Sequence, residues 1–98
     1  MNPRVVFRPQ ADVELLEAKR WYDQRREGLG QEFGLQVDNI VSKILERPLS
    51  FPAVHGDTRR AILPRFPYGV FFRVLPDEIL VLGVVHARRN PKIWQGRR

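Results

Sequence analysis

Val84-Val85-His86-Ala87-Arg88-Arg89-Asn90-Pro91-Lys92-Ile93-Trp94 carries the densest chemistry of this 98-residue chain. It sets an imidazole, two guanidiniums and an ammonium just beyond an apolar run. A guanidinium is a planar fork of donors that grips phosphate or carboxylate through two bonds, and an imidazole can exchange a proton near neutral pH. Arg59-Arg60 and Arg65 make a second basic group upstream. If the intervening segments form an antiparallel meander, Arg59, Arg60, Arg65, His86, Arg88 and Arg89 come to one surface, fit for phosphate or for an acidic peptide. The bland alternative leaves Arg60 and Arg73 as solvated charges on an open sheet face and the tail merely hydrated. His86 alone reads more readily as a hydrogen-bonded strand-end residue than as a catalyst, and His55, beside Gly56, as a loop residue without a role.

Other chemistries lack their residues. The sequence contains neither GxGxxG nor GxxxxGK[ST], and neither HExxH nor GxSxG. Ser42, Ser50 and Thr58 are the only hydroxyl residues besides tyrosine, and none has a histidine–carboxylate support nearby. Covalent acyl chemistry is therefore not expected. The absence of cysteine excludes a disulfide scaffold and any Cys-ligated zinc or iron–sulfur centre. With only two histidines, neither a metal nor a cofactor is expected. No window of 18 apolar residues is present and the first residues lack a signal-peptide pattern, so the expected location is the cytoplasm and no membrane partner is expected.

Charge is unevenly divided. Residues 1–49 hold eight basic and eight acidic side chains, whereas residues 50–98 hold nine basic and three acidic ones. The whole net charge of +6 thus falls in the C-terminal half, and 14 of the 17 basic residues are arginine. A basic half-domain has two natural partners, a polyanion or an acidic protein segment.

The elements that must position these groups follow from periodicity. Val5-Val6-Phe7 reads as a first strand. Pro9 suits a helix first turn, and Ala11, Leu15, Ala18 and Tyr22 recur at helical spacing, with Leu16 and Trp21 widening the stripe. Trp21 and Tyr22 read as core or hairpin-interface residues. Gly28-Leu29-Gly30 interrupts the pattern, with Gly28 as a left-handed cap. Phe33, Val37, Ile40, Val41, Ile44 and Leu45 form a second stripe that stops at Arg47-Pro48. The two make a helical hairpin. Leu49 to Asp57 reads as loop. The period then switches: Arg60–Leu63 is a short strand, Tyr68–Leu75 an alternating one, and Ile79–His86 is apolar on both faces, as for an interior strand. The remainder is a basic tail with one helical turn. The expected order, β-α-α-β-β-β, gives an α+β fold in one domain over residues 1–98, a helical hairpin packed on a four-stranded, mainly antiparallel sheet.

Taken in order, several of these pieces resemble a known family. Arg8-Pro9-x-Ala11, a helix ending in Trp21-Tyr22, Gly28-Leu29-Gly30-x-x-Phe33 and Pro48-x-x-Phe51-Pro52 are followed by Arg59-Arg60 and Phe66-Pro67-Tyr68-x-Val70-x-Phe72. His86-x-x-Arg89-x-Pro91-x-x-Trp94 closes the series. The chain resembles the ParE branch of the ParE/RelE toxin superfamily over nearly its whole length. That resemblance implies the toxin half of a bacterial type II toxin–antitoxin pair in a hetero-oligomer. Its antitoxin would have an acidic C-terminal segment meeting Arg59, Arg60, Arg65 and Arg73. ParE-like members inhibit DNA gyrase without catalysis of their own, whereas RelE-like members cut mRNA on the ribosome. Here the expected lysines and the C-terminal tyrosine are missing, which favours the gyrase reading, with Arg88, Arg89, Lys92 and Trp94 as the target-binding surface. In the ribonuclease alternative His86 and Arg89 would be the catalytic pair.

Overall fold

The computed structural model describes residues 3–98. In chain order the elements are β1 (Arg4–Phe7), α1 (Pro9–Arg25), α2 (Leu29–Glu46), a 3-10 turn (Pro48–Ser50), β2 (Ala53–His55), β3 (Thr58–Ile62), β4 (Tyr68–Val74), β5 (Glu78–His86) and α3 (Lys92–Gln95).

Helix α1 begins with Pro9 at its first position, where a missing N–H costs nothing, after Arg8 in extended conformation. Ala11 and Ala18 are buried, and their small side chains let the helix backbone lie close to the sheet. The wider stripe expected from Leu16 and Trp21 is not used: they are 47% and 48% exposed, so the helix buries a narrow face. The hairpin turn holds Gly28 at φ +87°, the left-handed conformation expected of it, though as the N-cap of α2. Gly30 then lets α2 cross closely over α1, since a Cβ there would collide with the Lys19 carbonyl and stand 2.8 Å from the Asp23 carboxyl. Its N–H donates to Asp23 Oδ1 at 2.7 Å, so one open donor of α2 is satisfied by the neighbouring helix. Phe33, Val37, Ile40 and Ile44 face the core, and α2 ends at Glu46, before the residue preceding Pro48.

The sheet differs from expectation in one respect. It has five strands in the order β1-β5-β4-β3-β2, not four. The added strand, Ala53–His55, lies in the segment read as loop and pairs with β3 through His55↔Thr58 and Ala53↔Arg59. Three residues between Pro52 and Gly56 are too few to show a period. Gly56-Asp57 is nevertheless a two-residue hairpin signal, with Gly56 at φ +53°. Strand β1 runs parallel to β5, while the other pairings are antiparallel. The doubly apolar run of β5 lies inside the sheet, between β1 and β4, as its sequence requires.

The main core fills the space between the helical hairpin and the sheet. Tyr22 from α1 and Phe33 from α2 stack with ring centroids 5.4 Å apart, and Phe66 and Tyr68 meet both edge-on. A second, smaller cluster occupies the opposite sheet face. There Trp94 of α3 stacks on Phe71 at 4.2 Å beside Val85. No described helix is long and apolar enough to cross a membrane.

Candidate functional site

The basic residues singled out in the sequence do not share one surface. Register explains the split. Arg59 pairs with Phe72 on the face that packs the hairpin, whereas Arg60 pairs with Phe71 on the opposite face. Successive strand residues point to opposite sides, so adjacent arginines cannot act together. Arg59 reaches back and donates to the Phe51 carbonyl at 2.5 Å and the Leu49 carbonyl at 3.4 Å, bracing the segment before β2. Arg65 lies beside the hairpin, its N–H 3.3 Å from Gln36 Oε1, in a groove with Tyr22, Arg26, Leu29 and Leu35. Arg73 faces Asp57 at 3.7 Å, near His55 and the C-terminal residues.

Arg60, His86 and Arg89 do come together. With Tyr68 and Trp94 they line a cavity of about 140 Å³ where β3, β4 and β5 meet the turn leading to α3. His86 is the last residue of β5, and its ring stands edge-on to Tyr68 at 5.1 Å. The turn is held by Arg89 N–H donating to the His86 carbonyl at 3.0 Å and by Ala87 N–H donating to the Pro67 carbonyl at 2.7 Å. Arg88 donates its backbone N–H to His86 Nδ1 at 3.0 Å, which makes Nδ1 the acceptor and leaves the proton of the neutral ring on Nε2. Arg88 and Lys92 are exposed. Trp94 is 6% exposed: it fastens the tail to the sheet and is not the free aromatic anchor expected of it.

The same His86 and Arg89 border a second opening, a groove of about 490 Å³ between α1 and the end of β5. Glu14, Trp21, Tyr22 and Tyr68 complete much of its wall. Burial pushes the Tyr22 hydroxyl above its ordinary pKa. Burial also raises that of Tyr68, helped by Tyr22 and Glu14 and opposed by the Arg89 guanidinium. The half-exposed Trp21 carries the Arg25 guanidinium 4.3 Å from its ring centroid.

Glu14, in an early turn of α1, fixes the C-terminus. Its carboxylate accepts two bonds from Arg97, at 2.8 and 3.2 Å, and a third from the Val84 backbone N–H at 3.1 Å. The β4–β5 register shifts between Phe71 and Phe72, leaving Leu82 out of the ladder, and Arg97 donates to the Leu82 carbonyl at 3.1 Å. Arg8 Nε binds the Arg98 carbonyl at 2.7 Å. The tail is therefore strapped to the sheet edge beyond the end of β1. No group of three or more histidine, cysteine or carboxylate residues suited to a metal occurs among the described residues.

Comparison with known proteins agrees with this architecture. Residues 5–91 match the family described as the ParE toxin of type II toxin-antitoxin system, parDE. No curated protein sequence matches the chain. Among solved structures, one described as the chromosomal ParDE TA system from P. aeruginosa superposes with a TM-score of 0.76. Identity is 17%, and the match covers 86% of this chain and 95% of that one, a likeness of fold. With 87 consecutive residues inside the family pattern, the chain belongs to the ParE toxins of type II toxin–antitoxin systems.

Proposed function

We propose that the chain arrests bacterial growth by binding DNA gyrase and that it is not a ribonuclease. The observation that carries this reading is the state of His86. Cutting RNA needs a base for the 2′-hydroxyl and an acid for the leaving oxygen. In the neutral ring Nδ1 is taken by the Arg88 N–H, so no free lone pair faces the cavity. The nearby Tyr68 hydroxyl is pushed further from neutral pH, and the arginines stay protonated. The cluster can bind and hold charge, and it presents no free base to a 2′-hydroxyl. Arg88, Arg89 and Lys92 form the target-contacting surface, with Trp94 beneath them as its support.

The cognate antitoxin is the second partner. Its acidic C-terminal segment seats along the hairpin and sheet edge in the cytoplasm, in a toxin–antitoxin hetero-oligomer. Arg65, exposed beside the groove on the hairpin, and Arg73, held only by a distant carboxylate, are available to it. Arg60 is less accessible, and Arg59 is occupied by backbone carbonyls.

Purified protein tested on supercoiled DNA with gyrase, and separately on programmed ribosomes, decides between the two activities. Gyrase-dependent DNA cleavage that is unchanged in His86→Ala is expected. Ribosome-dependent mRNA cuts that vanish in His86→Ala, a loss of roughly 10²–10⁴-fold for a proton-transfer group, would install the ribonuclease reading.

A further inference from the structure

Arg60 lies on the outer sheet face with no carboxylate of the described residues paired to its charge. Its stem lies flat across the outer sheet face over Gly69, where a Cβ would come within 3.2 Å of its Cγ and 3.3 Å of its Cδ. Its Nε is shielded from solvent and has no hydrogen-bond partner. None of the ion pairs among the described residues involves Arg60, Arg88, Arg89 or Lys92. A buried donor left unmade is destabilising, and two like-charged arginines lining one small cavity repel each other. The repulsion is offset when an anion enters.

We propose that the cavity between Arg60, His86 and Arg89 binds a phosphate group of a nucleic-acid backbone. Its volume of about 140 Å³ suits an oxyanion and is too small for a whole nucleotide. Its basic lining comes from strand β3, from the end of β5 and from the following turn. Such an arrangement surrounds a tetrahedral phosphate, whereas a planar carboxylate is satisfied by one arginine fork. Arg88 and Lys92 continue uncompensated positive charge past the cavity mouth, as a chain of repeating phosphates requires and a single acidic side chain does not. The site goes beyond the gyrase reading and does not depend on it, because the test contains no gyrase.

Fluorescence anisotropy with labelled single-stranded DNA and RNA decamers, at several salt concentrations, measures the binding. Arg60→Gln and Arg89→Gln should each weaken it about tenfold and lower the salt slope by about one. Arg20→Gln, which removes the same charge from the far face of α1, should change it less than about twofold. Arg89 is exposed, so that variant carries the test should Arg60→Gln lose stability. Inorganic phosphate should compete, and preference for DNA or RNA identifies the natural polymer. Equal losses in all three variants would reduce the site to diffuse charge and overturn the proposal. Binding of poly-glutamate as tight as that of the decamers would overturn it in favour of an acidic protein.

Discussion

At the residue scale, the side chains with most to do are those whose hydrogen bonds are already assigned. Glu14 and Arg97 are separated by 83 positions, and their side chains are only 23% and 16% exposed. Removing one partner leaves the other charge partly buried and unpaired. Glu14→Ala should therefore destabilise the fold by about 2 kcal/mol, somewhat below the range for fully buried pairs because water still reaches this one. Urea midpoints of Glu14→Ala, Arg97→Ala and the double variant provide the check: the double should lose clearly less than the two singles combined. Strict additivity would show that the bonds are not coupled. Sequence reading could not reach this pair, since a helix-dipole argument accounts for an early-turn acid without a distant arginine. Tyr22 and Tyr68 make a second prediction at this scale. Their hydroxyls ionise less readily in the fold than in the unfolded chain, so their contribution is complete below the unfolded pKa and is lost as pH rises through the folded one. Stability should fall as pH climbs beyond about 10, and Tyr68→Phe should flatten that fall in pH-dependent urea melts.

At the element scale, long periodic segments were legible and short ones were not. Both helices, the αL glycine between them and the doubly apolar β5 follow from local pattern, because each contains enough residues to show which face is buried. Strand β2 exists through pairing with β3, a tertiary cause that its three residues cannot announce. The site was half legible for the same reason. Proximity of Arg60, His86 and Arg89 follows once β3, β4 and β5 are placed, but the separation of Arg59 from Arg60 depends on register. The packed Trp94 shows that the tail belongs to the fold. Trp94→Ala should cost about 3 kcal/mol, the low end for a buried aromatic, by uncovering Phe71 and Val85. Deleting residues 87–98 would remove this cover together with the Arg97 bonds, so loss of toxicity in such a truncation reports folding as well as target contact. Gly30→Ala should also cost about 3 kcal/mol, since a Cβ has no space between the helices. Thermal melts of the two variants test these values, and wild-type stability in either would refute the corresponding packing argument.

At the scale of the whole molecule, the charge division of the sequence becomes a directional field. The net +6 belongs to the half that supplies β2, β3, β4, β5 and α3, so the sheet and tail carry the excess positive charge, while the hairpin, residues 9–46, holds five basic and eight acidic side chains. The acidic antitoxin segment proposed above would be drawn toward this surface before any contact forms. The final contacts need different chemistry. Exposed arginines such as Arg65 give weak, screened pairs, whereas apolar groups at the two grooves, the half-exposed Trp21 in one and Leu35 in the other, can be fully desolvated by a partner. Rate and affinity should consequently separate. In stopped-flow measurements, raising salt from about 0.05 to about 0.5 M should slow association with the antitoxin at least tenfold, as the Debye length contracts to a few ångströms. Dissociation should change by less than about threefold, because it is governed by the apolar seat. Trp21→Ala should show the reverse pattern, with faster dissociation and little change in association. An association rate indifferent to salt would mean that the basic face is not where the antitoxin arrives.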